Sequence, residues 1–235
     1  MDHENRVKKI ILLSISLVLL LFPQANGDEG PVVLRLEGKA TATSGDDKTP
    51  VSLKKGDVIG PGSQIHTEIN SRMVVGYGED RHVRLDELTT CELAVQPSDE
   101  KSKSNDTTLR AITGNIWISI PKVVPPKRRV SILTTHAVVQ PNEAIFRLSI
   151  FPTNSVLVKV YQGTVTVEEK KNTAHNKAVR RKSKPWSHIL KPMQQIFIRP
   201  DGTSTNPFQF MVKPDRSTWV LWNQSLDEEL LSTRQ

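Results

Sequence analysis

The chain is 235 residues long, with 32 Lys and Arg against 25 Asp and Glu and a formal net charge of +7. Hydrophobic residues make up 37% and charged residues 24%, which excludes a multi-pass membrane protein, a collagen-like chain and a wholly disordered one. Aromatic residues are scarce at 5%, so a core must come mainly from Val, Ile and Leu. The single cysteine, Cys91, excludes both an intrachain disulfide and a cysteine-built metal site.

In chain order, the first feature is an export signal. Arg6, Lys8 and Lys9 precede an apolar run of 13 residues at 10–22, broken by Ser14 and Ser16 and stopped by Pro23. A membrane-spanning helix needs roughly 20 apolar residues, whereas a signal-peptide core needs about 7–15. Ala25 and Gly27 are the small residues a signal peptidase reads, so cleavage is expected after Gly27. An uncleaved anchor is the alternative. No second apolar run follows, so no transmembrane span is expected once the signal is removed. The expected location is periplasmic or extracellular.

From residue 31 to about 203 the pattern is short β-favouring runs punctuated by Gly, Pro, Asn and Asp. Val32 to Glu37 alternates and stops at Gly38. Val58 and Ile59 form a short extended piece between Gly56-Asp57 and Gly60-Pro61-Gly62. Residues 73–77 and 82–85 read as a hairpin around Gly78-Glu79-Asp80. Cys91, flanked by Leu88 and Leu93, reads as a small buried apolar residue. Ile116, Ile118 and Ile120 show a period of two. Runs at 130–134, 144–151, 156–161, 164–167 and 195–198 follow, with Thr113-Gly114 and Gly163-Thr164 read as turns between strands. This spacing predicts an all-β fold, an antiparallel sandwich or compact coil of short hairpins.

Residues 170–191 carry eight Lys or Arg and no acid. They read as an exposed basic loop within the β-domain. Its candidate anion- or partner-binding residues are Lys170, Lys171, Lys177, Arg180, Arg181, Lys182, Lys184 and Trp186. The C-terminal tail, 204–235, contains Trp219, Trp222, Leu226 and Leu230 at spacings that predict one apolar helix face. Ser225-Leu226-Asp227-Glu228 fits a capping box, so that helix starts either before Trp219 or at Ser225.

The order of these blocks resembles the FecR-like domain, the periplasmic part of iron-dicitrate sensors that regulate a sigma factor. The blocks are VSLKKGDVI (51–59), QIHTEINSRMVV (64–75), HVRL (82–85), LRAITGNIWI (109–118), TTHAVV (134–139), VLVKVYQGTVTV (156–167) and the strand at 190–198. The resemblance spans about 32–203 and departs from the family in two ways. Glu143-Ala144 stand where the family has Gly-Thr before a Phe, here Phe146, and Thr135 stands where Pro is usual. Nine residues precede the signal core, too few for the cytoplasmic sigma-binding domain of such regulators. The resemblance therefore implies a stand-alone exported domain, 28–203, that follows a signal peptide at 1–27.

Residue spacing offers no chemistry. The histidines His66, His82, His136, His175 and His188 lie too far apart for a helical or hairpin metal pair. His82 with Asp80 and Asp86 reads as surface charge. Adjacent carboxylates on a strand face opposite ways. Neither a phosphate loop nor a nucleophile elbow occurs. The expectation is a non-enzymatic module without cofactor or metal, for envelope interaction or signal sensing. The alternative is a protein that binds an anionic surface polymer, glycan or lipid through the basic loop. The partner is then an envelope protein or anionic envelope polymer rather than nucleic acid, and the oligomeric state stays open.

Overall fold

The computed structural model describes residues 30–45, 47–77, 81–95, 107–120, 130–170, 185–211 and 213–232. The expected signal peptide and its cleavage site after Gly27 lie outside them, as do Lys171, Lys177, Arg180, Arg181, Lys182 and Lys184.

The described residues form one large mixed sheet and one α-helix. The first strands are β1 (Val32–Glu37), β2 (Ala40–Thr43), β3 (Val51–Ser52), β4 (Ser63–Thr67), β5 (Arg72–Tyr77), β6 (Arg81–Leu85) and β7 (Thr90–Val95). Three long strands follow in the middle: β8 (Thr107–Ser119), β10 (Ala137–Ile150) and β11 (Val156–Glu169), with the short β9 (Val130–Leu133) between the first two. Next come β12 (Ser187–Leu190), β13 (Gln194–Ile198), β14 (Phe208–Gln209), a 3-10 turn at Lys213–Asp215 and α1 (Thr218–Ser232). Strand β5 pairs with β6 as the expected hairpin. All named pairings are antiparallel except β8 with β9.

The all-β fold with a short C-terminal helix is as expected, and three of its strands are longer than their glycine-punctuated pattern reads. Gly114 and Gly163 lie inside β8 and β11, not in turns between strands. Both have positive φ, 93° and 72°. At these points each strand changes partners. Before Gly114, β8 pairs with β7 and β9, and after it with β6 and β10. Likewise β11 pairs with β13 on one side of Gly163 and with β12 on the other. Glycine therefore bends a continuous strand here, a role that in sequence cannot be told from a turn.

The third bend is in β10, where the register slips between Asn142 and Ile145. Glu143 takes φ +46°, the left-handed conformation that glycine adopts without cost. A glutamate thus holds the glycine-like geometry at this bend. Gly163 sits directly against it, so a Cβ there would overlap the Glu143 carbonyl.

Folding the sheet at these bends brings inward faces together in one core. Ile116, Ile118, Phe146, Leu148, Val156, Val158, Val160, Ile196 and Ile198 alternate inward along their strands. Cys91 is fully buried among them, and desolvation pushes its thiol up to about 12.

Candidate functional site

The outer face of the sheet departs from ordinary alternation. Along β8, Trp117 and Ser119 are as buried as Ile116, Ile118 and Ile120, which alternate with them. What covers Trp117 is the C-terminal segment, through Asp227, Trp219 and Val220.

Register explains what lies beneath it. Arg84 pairs with Trp117, Trp117 with Arg147, and Arg147 with Lys159, in one row across β6, β8, β10 and β11. A row of three cations around a tryptophan would normally face water. Here Arg84 is 1% exposed, and Arg147 and Lys159 are 12% and 13% exposed. Burying them demands opposite charge, which two aspartates after the β-domain supply. Asp227 of α1 accepts from Arg84 Nη2 at 2.6 Å and from Trp117 Nε1 at 2.9 Å. Arg84 Nη1 also donates to the Asn223 carbonyl at 3.1 Å. Asp215, in the 3-10 turn, accepts from Arg147 at 2.8 Å, from Lys159 at 2.6 Å and from the Tyr161 hydroxyl at 2.6 Å. Burial pushes the Tyr161 phenol above its ordinary range, and the bonded Asp215 carboxylate adds to the rise.

Around these anchors is a small apolar cluster separate from the main core: Trp117, Ile145, Trp219 and Val220, with Tyr161 and Trp222 at its margin. Trp117 stacks on Tyr161 with centroids 4.5 Å apart. The helix thus docks as expected, but by a different stripe. Asn223 and Asp227 are buried with Trp219 and Val220, while Trp222, Leu226 and Leu230 are only half-buried. The helix starts at Thr218 and not at Ser225, because Ser217 caps it, its Oγ accepting from the Val220 N–H at 3.3 Å.

A cleft of about 410 Å³ opens between the first turn of α1 and the sheet. Arg72, Arg147, Asp86 and Glu87 border it. The Arg72 guanidinium lies over the rings of Trp219 and Trp222 at 5.8 and 5.6 Å. Its Nε is 3.7 Å from Asp86 Oδ1, and Asn115 Nδ2 reaches Asp86 Oδ2 only at 3.4 Å. Burial raises the Asp86 carboxyl above its ordinary value, an effect that the Glu87 backbone N–H and Arg72 only partly oppose.

Of the candidate residues in the basic segment, two are described. Lys170 Nζ donates to the Thr134 carbonyl at 3.1 Å. Trp186 packs against the main core, donates its indole N–H to the Gly202 carbonyl at 3.0 Å and stacks on His188. The structure brings neither into the helix junction. His82, expected at the surface, is buried at 5% exposure. Sequence reasoning missed Arg84, Arg147, Lys159, Asp215 and Asp227, since each alone reads as a solvated charge. The available signal was that three cations fall on outward positions beside tryptophan or tyrosine.

No family model matches this chain, and no curated protein matches it in sequence. Among solved structures it is similar to a candidate anti-sigma factor from Parabacteroides distasonis ATCC 8503, seen in crystals at 2.50 and 1.65 Å. Identity is 15% and 16%, with TM-scores of 0.42 and 0.43. The alignment covers 62% of this chain and 59% of each of those, so the chain spans less than two thirds of their length.

Proposed function

We propose that this chain is a non-enzymatic, exported module of the cell envelope that recognises a protein partner or a signal, and that recognition acts at the junction of α1 with the sheet. One observation carries this reading. The C-terminal segment is held to the sheet by buried charge pairs, Asp227 of α1 on Arg84 and Asp215 of the preceding turn on Arg147, and by its own small cluster apart from the main core. Buried ion pairs contribute little net adhesion yet penalise any misplacement of one partner. A helix held in this way has a defined docked position and a modest cost of release. A binder that prefers either arrangement shifts the balance between them. Export is supported by the 13-residue apolar run behind Arg6, Lys8 and Lys9 and by the small residues before Asp28.

The test is photo-crosslinking in cells, with the reactive residue at Leu221, which is 46% exposed on α1, or at Val51, exposed on β3. The reading expects a protein beginning at Asp28 in an envelope or external fraction, with an adduct to a single envelope protein from Leu221 and not from Val51. A cytoplasmic location, or equal labelling from both positions, contradicts it.

A further inference from the structure

We propose that this chain pairs with a second copy of itself about a two-fold axis, each copy's α1 lying over the strip of sheet that the other's helix leaves open. The inference goes beyond the preceding reading and does not rest on it. Leu221 lies off the stripe of α1 that is used, about 100° of helix rotation from its nearest member.

The helix covers only part of the outer face. Its anchors Arg84, Trp117, Arg147 and Lys159 lie on β6, β8, β10 and β11, whereas β5 and then β1 continue the sheet beyond β6. Along this strip Arg72, Val74 and Gly76 share the outer face of β5. A Cβ at Gly76 would stand 2.7 Å from Leu34 Cδ1, so the missing side chain lets Leu34 of β1 lie across β5, where it stays 39% exposed. Between strip and helix runs a groove of about 260 Å³. Val74 lines it from β5, Leu34 and Arg35 from β1, and Leu226, Glu229 and Leu230 from α1. The profile is a ridge beside a step. Two strands about 4.8 Å apart make a step about 10 Å wide, which is the width of one helix. A ridge and a step of equal width are self-complementary under a two-fold, as an isologous dimer requires.

The charges also match across that axis. The helix contains Asp227, Glu228 and Glu229 and no Lys or Arg. Asp227 is used by Arg84 and Trp117. Glu228 and Glu229 are exposed close to the helix C-terminus, where negative charge opposes the helix dipole. The strip carries the opposite sign. The guanidinium groups of Arg35 and Arg72 lie 5.8 and 5.6 Å from the Trp222 ring centroid, beside the first half of α1. In an antiparallel pair of helices, the acidic end of one therefore reaches the basic end of the other's strip. Arg35 is bonded to Glu37 at 2.6 Å, but its side chain is 51% exposed and its five N–H donors can serve a second carboxylate, the partner's Glu229. Leu34, Leu226 and Leu230 of both copies supply the apolar part of the contact.

Sedimentation velocity on the protein beginning at Asp28 provides the test. The expected result is a monomer–dimer equilibrium with a Kd of about 1–100 µM. Arg35→Glu and Glu229→Arg are surface changes, and each sets like charges against one another at both symmetry-related contacts. Each should weaken self-association at least about tenfold, since the same pair is reversed twice per dimer. Mixed in equal amounts, the two variants should pair with wild-type affinity, because each contact then again joins an acid to a base. A variant that merely unfolds cannot give this rescue. A wild type that stays monomeric to about 300 µM overturns the proposal. So does a dimer that neither variant weakens, or a mixture no more associated than its separate components. A monomer that still crosslinks from Leu221 to an envelope protein leaves the preceding reading in place and removes this one.

Discussion

Asp227 meets Arg84 at 2.6 Å, although 143 residues separate them in the chain. The contact joins the last helix to a strand near the middle of the sheet, and both side chains are withdrawn from water, at 8% and 1% exposure. Trp117 donates to the second oxygen of the same carboxylate at 2.9 Å. One aspartate therefore satisfies two buried donors of the sheet.

Removing that carboxylate should be costly. Asp227→Ala strands a buried guanidinium, and the expected loss is about 3–5 kcal/mol in urea unfolding. Arg84→Met with Asp227→Leu should recover most of this loss, because neither charge is then left alone. A single mutant within about 1 kcal/mol of wild type would contradict the burial of this pair.

The bend between β10 and β11 gives opposite expectations for its two residues. Gly163→Ala places a methyl group against the Glu143 carbonyl at a φ of +72° and should cost at least about 2 kcal/mol. Glu143→Gly relieves a left-handed residue at φ +46° and should be neutral or stabilising, by up to about 1 kcal/mol. Thermal unfolding of the two variants reads both signs. A destabilised Glu143→Gly would show that the glutamate side chain, not the backbone, sets the bend.

Asp86 predicts a pH dependence with a definite sign. Its carboxyl is raised above 3.8 by burial, so the folded state holds the proton more tightly than the unfolded chain. That contribution is fully present below the unfolded value and is lost as pH rises through the folded one. The stability of Asp86→Asn relative to wild type should therefore rise between acid and neutral pH. A flat difference across that range would mean that Arg72 and Asn115 already offset the burial.

The strands were legible in the sequence because Val, Ile and Leu recur at period two wherever one face is buried, as at Ile116, Ile118 and Ile120. The bends were not, since Gly114 and Gly163 carry the same signal as hairpin turns. The helix was legible from Trp219, Trp222, Leu226 and Leu230, but its buried stripe was not. Asn223 and Asp227 enter the interface only because Arg84 waits on the sheet, and a partner so distant in sequence leaves no local trace. For the same reason Arg147, Lys159 and Asp215 read as ordinary surface charges. The basic segment, conspicuous by composition, ends in β12, Ser187–Leu190, which pairs with β11 and buries Leu190, and of its candidate binding residues only Lys170 and Trp186 are described.

Hydrogen–deuterium exchange tests the central claim, that α1 is a separately held element on the outer face of the sheet. It should be followed in wild type and in Asp215→Asn, which weakens the neutralisation of Arg147 and Lys159. The account predicts that amides of residues 218–232 exchange faster than those of β8 and β10 in the wild type. In the variant they should accelerate further while the strands keep their protection. If the helix and both strands exchange at one common rate, and respond together to the substitution, α1 is an inseparable part of the core and the account is wrong.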